Sequence, residues 1–539
     1  MNPRPVACPT LVGRDNELAF LHDARRALGA SRSAFVLIAG EAGIGKSRLL
    51  AQFLRESGDG RARTLLRAEC LEYAPAPFGP IRDAVETLAR ITEAPLPPML
   101  ARFVERSAAD AAPEKAELFA AIVAFIRERA RVRAIVLSVE DVHWGDATTL
   151  DFLGYAASHV SGTRLLVIAT YRSDEVERNA SLAAALARIV REPATYRLEL
   201  LALGRAELGA LLSGALDGHP PLAVKVIEDV ATRSEGNPFF AEELLKDALE
   251  HSRERGRPDL PISIRASIVE RLRGLSEDER RVIDRAAVLG LRFDPHVLAR
   301  TLNTDVDAIL PALRRARDAN LIVEEGARRG QFCFRHALTR QVVYDDLLLF
   351  DACRTHRSVL ETLESFGSED EHIEELAYHA WEARDTQKSL LYNERAAEAA
   401  LALFALPEAR VGFERSLQAA TQRSDEARLL ERLGRVTSLL GELPAAIELF
   451  ETARSAAIEI GAFEAAARLT RWSTGDRANS GDATAVAYGV AFLERFGERV
   501  PVAAADELLA LIARVATMSY DVEAAERLLA RIVHPEELP

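Results

Sequence analysis

Short apolar runs alternate with longer segments of helical period through the first third of the chain. Phe35–Ala39, Thr64–Ala68, Ala134–Val139, Arg164–Thr170 and Tyr196–Leu200 read as buried strands, and stretches such as Ser47–Arg55 and Pro80–Arg90 as helices between them. Strands spaced by helices predict a parallel, doubly wound α/β sheet. From Gly204 to Glu250 the pattern is helical, broken at Gly236-Asn237-Pro238, and a linker rich in Arg, Pro and Gly follows at Arg253–Pro261. Helices are expected near Ser263–Gly274, Ser276–Leu289, Asp294–Leu302 and Asp305–Asp318. Two short strands, Leu321–Glu325 and Gln331–Arg335, flank Gly326-Ala327-Arg328-Arg329-Gly330. Helices followed by a glycine-bounded hairpin read as a winged helix.

After about Asp351 the chain is helical and rich in alanine. Segments starting at Leu406, Leu443, Asp482 and Asp521 resemble one another at spacings of about 37–40 residues, close to tetratricopeptide or related helix-pair arrays. A non-repeating helical bundle is the alternative. Ala409, Ala446, Ala485 and Ala524 suit close packing between paired helices. The last segment is followed by no polar capping helix before Pro539, which leaves open a longer protein or a partner over that end. The expected divisions are 1–203 for the α/β domain, 204–260 for a helical lid, 261–350 for the winged helix and 351–539 for the repeats.

Length agrees with several domains, since 539 residues exceed what one core supports. No apolar run approaches the roughly 18–20 residues that span a bilayer, and MNPRPVACPT has no apolar leader pattern. Cys8, Cys70, Cys333 and Cys353 are scattered, with no metal-ligand spacing, so reduced thiols and a cytoplasmic location are expected, with no membrane partner. A net charge of −14 speaks against bulk attraction to nucleic acid, while a local basic patch stays open. Between Glu361 and Ala400 eleven carboxylates face three bases, which suggests a change of domain there.

The chemistry concentrates at Gly40-Glu41-Ala42-Gly43-Ile44-Gly45-Lys46-Ser47, which fits G-x-x-x-x-G-K-[ST] after an apolar strand and before an amphipathic helix. Glycines let successive N–H groups face phosphates, Lys46 would reach the β/γ-phosphates, and Ser47 offers a hydroxyl to Mg²⁺. Arg48 follows directly and belongs to the same nucleotide-binding stretch. Such a loop needs an acidic partner on a neighbouring strand. Glu140, at the tip of Ala134–Val139, would hold the Mg²⁺ shell and Asp141 would orient the attacking water. Asp146 reads as the N-cap of the next helix, and His143 and Trp144 as packing under the loop. Thr170-Tyr171-Arg172 ends the fourth strand at the same sheet edge, where Arg172 would touch the γ-phosphate. ATP or ADP with Mg²⁺ is therefore the expected ligand.

Taken in order, these pieces resemble the signal-transduction ATPases with numerous domains (STAND), an AAA+-related group. The likeness is strongest to those in large LuxR-type bacterial regulators and in multidomain proteins related to soluble adenylyl cyclases. Leu11-Val12-Gly13-Arg14-Asp15-Asn16-Glu17-Leu18 resembles their opening motif, which implies that Val12, Gly13 and Arg14 lie against adenine. Gly236-Asn237-Pro238-Phe239-Phe240 resembles the G-x-P motif, whose proline, here Pro238, packs on the base. Gly-Asn-Pro is also an ordinary turn and helix start. Phe334-Arg335-His336-Ala337-Leu338-Thr339-Arg340, with Tyr344, resembles the winged-helix segment whose histidine, here His336, contacts the β-phosphate of ADP. A satisfied core or cap histidine is the alternative there. The resemblance implies a switch with a small-molecule inducer or protein partner at the repeats and self-association in the ATP state.

One departure matters: Glu140-Asp141 stands where many such ATPases have Asp-Glu, so slow hydrolysis is expected. Two rival readings differ in class. One is a DNA-contacting regulator using Arg314, Arg315, Arg317, Arg328 and Arg329; the other is a repeat scaffold with an idle ATPase core. No segment resembles a cyclase catalytic domain.

Overall fold

The computed structural model describes residues 7–28, 33–57, 63–71, 76–105, 115–217, 219, 222–254, 264–324, 330–367, 369–519 and 521–535. They form two compact units, Met1–Glu369 and Asp370–Pro539.

Five parallel strands organise the first unit: β1 (Ala34–Gly40), β2 (Arg63–Glu69), β3 (Ala134–Glu140), β4 (Leu165–Arg172) and β5 (Thr195–Glu199), in the order β2-β3-β4-β1-β5. Each lies close to its expected bounds. The inner strands β1, β3 and β4 are buried almost throughout, whereas the edge strands β2 and β5 mix buried and exposed positions. Continuous apolar runs are what a strand covered on both faces requires. The connecting helices are α1 (Asp15–Ala27), α2 (Lys46–Ser57), α3 (Gly79–Thr92), α4 (Pro98–Glu105), α5 (Lys115–Val132), α6 (Ala147–His159) and α7 (Ala180–Val190). Leu49, Leu50, Phe53 and Leu54 of α2 join Val36, Ile38, Leu166 and Ile168 in one core, which fixes the helix directly behind β1.

Three helices follow: α8 (Arg205–Ala215), α9 (Val224–Arg233) and α10 (Pro238–Glu254). They share a core of Leu208, Leu211, Leu212, Val230, Leu244 and Leu245, and Cys8 and Val12 from the chain's start pack into it. Of the expected linker, residues 255–261 lie outside the described residues. Next come α11 (Ile264–Arg273), α12 (Glu277–Leu289), β6 (Arg292–Phe293), α13 (Pro295–Thr301), α14 (Val306–Asp318), β7 (Ile322–Glu324), β8 (Phe332–Phe334), α15 (Ala337–Asp345) and α16 (Leu349–Glu364). A capping box between Ser276 and Glu279 starts α12, and Asp294 caps α13. The small sheet has the antiparallel order β6-β8-β7. Its strand β6 escaped the sequence reading, because two residues between helices leave no period to read. Gly326–Arg329 lie outside the described residues.

The boundary between the two compact units falls at Glu369, within the acidic stretch. Helix α16 packs against α12 and α13 of the first unit.

The second unit is helical throughout: α17 (Ile373–Glu382), α18 (Thr386–Ala402), α19 (Leu406–Ala419), α20 (Arg423–Leu439), α21 (Leu443–Glu459), α22 (Phe463–Asn479), α23 (Ala485–Phe496), α24 (Val502–Met518) and α25 (Val522–Leu529). The recurring segments are α19, α21, α23 and α25, each packed against the helix that precedes it. Ala409, Ala446 and Ala485 are buried where helices meet, as their size suggested. At the fourth position Ala524 is only half-buried and Ala525 takes the core place. Ion pairs step across the alternate helices α18, α20, α22 and α24: Glu398 to Arg432, Glu431 to Arg468, and Glu507 to Arg471.

Candidate functional site

The loop between β1 and α2 runs from Gly40 to Gly45. Gly43 (φ 79°) and Gly45 (φ 103°) take left-handed conformations that L side chains rarely adopt, and a Cβ on Gly45 would meet only open space. Lys46 is buried, and its Nζ donates to the carbonyls of Gly40 and Glu41, both at 2.8 Å. Burial pulls the Lys46 ammonium down to about 8; Asp141 opposes that effect and Arg172 adds to it. Ser47, one residue into α2, lies close enough to the Glu140 side chain to work against the rise of its carboxyl pKa.

That approach reaches across more of the sheet than expected. β4 lies between β1 and β3, so the acidic strand is not the immediate neighbour of the loop's strand. Burial, and then the Asp141 charge, raise the Glu140 carboxyl above its ordinary range. Asp141 sits just past the strand with φ 54°, and its amide donates to Thr170 Oγ1 at 3.0 Å. Thr170 is fully buried in β4 and was not singled out by sequence; a hydroxyl residue ending an apolar strand is its only signal. Arg172 pairs in register with Gly40, and its guanidinium lies 5.0 Å from the Trp144 ring. His143 is buried, and burial drives its imidazole down to about 3, so its 3.9 Å approach to Asp141 is no ion pair. Asp146 caps α6 as expected, accepting from Thr149 N at 2.8 Å, and also takes the Phe78 amide at 3.2 Å.

Segments distant in sequence close over the loop. Arg14 is buried and donates to the carbonyls of Ile44 (3.3 Å) and Leu201 (2.6 Å). Gly13 has φ 67°, and a Cβ there would come within 2.7 Å of Glu207 on α8. Arg48 pairs with Glu242 of α10 at 2.9 Å and donates to the carbonyls of Cys8 and Thr10. Asn237 Nδ2 donates to the Ala42 carbonyl at 3.0 Å, and the Phe239 amide to the Gly43 carbonyl at 3.4 Å. Any Cβ on Gly43 would stand 2.9 Å from Phe239 Cβ, so this glycine lets the two segments touch. Pro238 occupies the first turn of α10, where its missing N–H costs nothing.

His336 precedes α15, and its ring centroid is 3.7 Å from that of Phe239. Burial drives the imidazole down to about 3 in spite of the nearby Glu243 carboxylate. Burial works against the Glu243 charge, yet Lys246 and Arg271 overcome it and hold the carboxyl at about 2. Asn237, Phe239 and this buried Glu243–Lys246–Arg271 cluster are residues that spacing alone did not single out.

Between the loop and the helices lies a cavity of about 660 Å³, bounded by Glu41, Ile44, Ser173, Leu201, Asn237 and Leu338 among others. Val12, Gly13 and Pro238 are not part of its lining; Asn237 and Phe240 are. Away from it, Arg314 and Arg315 are exposed on α14 and Arg317 pairs with Asp318 at 3.2 Å, while Arg328 and Arg329 fall outside the described residues. Among the described residues no helix is long and apolar enough to cross a membrane, and no group of three or more His, Cys, Asp or Glu could hold a metal ion. A Mg²⁺ ion at Ser47 and Glu140 would take its remaining ligands from phosphates and water, which is how such sites are commonly built.

A phosphate-type loop at the head of a β2-β3-β4-β1-β5 parallel sheet, with the Glu140 carboxylate at the tip of β3, defines a P-loop ATPase fold, followed along the chain by helical repeats. Residues 10–168 match the AAA ATPase domain family. An uncharacterized protein of Rhizobium meliloti (strain 1021) is 25% identical over 463 residues, covering 77% of this chain and 43% of its own. The chain thus spans less than half the length of the curated relative it matches. Among solved structures, a STAND protein with a tetratricopeptide repeat sensor from Pyrococcus horikoshii aligns over 99% of this chain and 78% of its own, at 12% identity and a TM-score of 0.47. The Aeropyrum pernix ORC1 protein, solved with DNA, aligns over 64% of this chain and 95% of its own, at 14% identity and a TM-score of 0.34.

Proposed function

We propose that the protein is a nucleotide-gated switch of the STAND type, a slow ATPase whose winged-helix and lid segments read the nucleotide and whose repeats sense an inducer or protein partner. It would act in transcriptional or signalling regulation in the cytoplasm. The observation that carries this reading is the set of contacts made by the Gly236–Phe240 turn. Asn237 and Phe239 bond the carbonyls of Ala42 and Gly43, and Phe239 carries His336 on its ring. Whatever displaces the loop therefore strains the lid and the His336 segment together.

In this reading Lys46 and the loop amides bind the phosphates, and Ser47 and Glu140 hold the metal. Bound Mg²⁺ supplies charge neutralisation at the β/γ-phosphates. Asp141, its amide fixed by Thr170, orients water through a carboxylate one methylene shorter than glutamate, which slows turnover. Arg172, stored over Trp144 beside Gly40, reports the γ-phosphate. The ADP form keeps His336 engaged, and the ATP form releases it and favours self-association. An inducer shifts this balance only by binding the two forms unequally.

Nucleotide content tests the proposal: purified protein is denatured and the released ligand identified by chromatography. Retained ADP is expected, and Lys46→Ala should abolish binding. Absence of nucleotide together with no binding of added ATP–Mg²⁺ would overturn it.

A further inference from the structure

The resemblance read from sequence puts His336 on the phosphates, yet His336 does not line the cavity beside the loop. Two other winged-helix residues do, Leu338 and Arg265, together with Gly40, Glu41 and Ile44 of the loop itself. His336 is buried with its ring on Phe239, and burial keeps its imidazole neutral, so it offers a phosphate no charge.

Arg265 has the opposite properties. It stands in the first turn of α11, whose Ile268 and Leu272 are buried in the winged-helix core and whose Arg271 pairs with Glu243 of α10. Spacings of three and four put Arg265 on the same helix face as Ile268 and Leu272, one turn before that core begins, where the cavity wall runs. Its guanidinium is exposed and lies 3.6 Å from the Asp345 carboxylate at the end of α15. An exposed ion pair of that length contributes little. Arginine binds a phosphate more strongly, through two parallel N–H bonds. The other charged side chains on the cavity wall are Glu41, Glu199, Glu235 and Arg233. Carboxylates thus outnumber arginines there, and a polyphosphate entering among them depends on each cation the wall presents.

We propose that Arg265, rather than His336, is the winged helix's direct contact to the diphosphate of bound ADP, exchanging Asp345 for a phosphate oxygen when the nucleotide enters. The inference rests on the nucleotide reading of the loop and names the residue that closes the site within it.

Equilibrium binding of fluorescent ADP to the full chain, at about 0.05 and about 0.5 M salt, tests it. Arg265→Ala should weaken ADP by at least about tenfold at low salt and flatten the salt dependence. Arg265→Lys should recover part of the affinity, since it keeps the charge and loses the two-bond geometry. Asp345→Asn removes the competing carboxylate and should tighten ADP severalfold. His336→Ala should keep the wild-type salt dependence, because no charge is lost. Wild-type ADP affinity and salt dependence in Arg265→Ala would overturn the proposal and leave the loop assignment standing. A loss in Arg265→Ala that neither Arg265→Lys nor salt alters would mark a purely structural effect and would equally overturn it. Wild-type protein that binds neither ADP nor ATP–Mg²⁺ would overturn the nucleotide reading itself, and this contact with it.

Discussion

The rings of His336 and Phe239 lie 3.7 Å apart between centroids, and the Phe239 amide donates to the Gly43 carbonyl in the phosphate-type loop. His336 thus meets the loop through an intermediary on α10. If this relay retains ADP in the proposed switch, His336→Ala should speed ADP release by about tenfold, equivalent to about 1.4 kcal/mol. A fluorescent-ADP chase measures it, and an unchanged off-rate removes the relay. Phe239→Leu should act in the same direction with little loss of stability. Phe239→Ala should also destabilise the fold, by about 3–5 kcal/mol.

In the proposed switch the acidic pair divides two tasks that substitutions can separate. Glu140→Gln keeps the shape but would weaken the proposed metal ligand near Ser47. ATP should still bind, with a much reduced Mg²⁺ dependence and a turnover lowered by about a hundredfold or more. Asp141→Glu restores the longer base and should raise turnover severalfold, at a cost of about 1 kcal/mol for a residue held at φ 54°. Phosphate-release assays on both variants decide the matter. Equal turnover of wild type and Asp141→Glu would remove Asp141 from the role of ordering water.

Much of this geometry could be read from sequence where it was periodic or local. The buried strands announced themselves as continuous apolar runs, the loop by its glycines, and the α6 cap by Asp146. What escaped has no period. Strand β6 is two residues long, and Asn237 meets Ala42 across 195 residues. The placing of β4 between β1 and β3 depends on how the chain crosses over, which strand patterns do not encode. Ala524 and Ala525 show the limit of repeat matching: adjacent alanines fit one pattern, and only packing decides which of them is buried.

Acid should destabilise the protein well before its carboxylates titrate. His143, His336 and His356 are each driven by burial from the ordinary range down to about 3. Each folded-state pKa is depressed, so the unfolded chain binds the proton first as pH falls. The stability they contribute is present above about pH 6.5 and is lost progressively between there and about pH 3. For the deeply buried pair His143 and His356 the slope approaches about 1.4 kcal/mol per pH unit each. Glu243, held at about 2, acts in the same direction once pH falls below the ordinary glutamate range. Urea midpoints at pH 7.5, 6 and 5 should decline steadily, and His356→Gln should flatten the curve between pH 6 and 5. A flat profile would show that these histidines take up protons in the folded state.

Two helical glycines should respond to the same substitution with opposite sign. Gly209 is exposed on α8, and a Cβ built there meets nothing within 4 Å. Gly209→Ala should therefore realise the helix-propensity gain of up to about 1 kcal/mol. Gly412 sits where α19 crosses α18. Its added Cβ would lie 2.8 Å from Ala397 Cβ and 2.9 Å from the Asn393 carbonyl oxygen. Neither neighbour is the end of a flexible side chain, so relief needs the helices to move apart. Asn393, whose amide also bonds the Ala377 and Ser389 carbonyls, anchors the other side of that contact. The propensity gain is then outweighed by an overpacking cost of about 1–3 kcal/mol. Because the two glycines belong to different compact units, equilibrium unfolding followed by probes in each unit should show the first transition strengthened by Gly209→Ala and the second weakened by Gly412→Ala. A stabilising Gly412→Ala would mean that α18 and α19 are less closely packed than this contact requires.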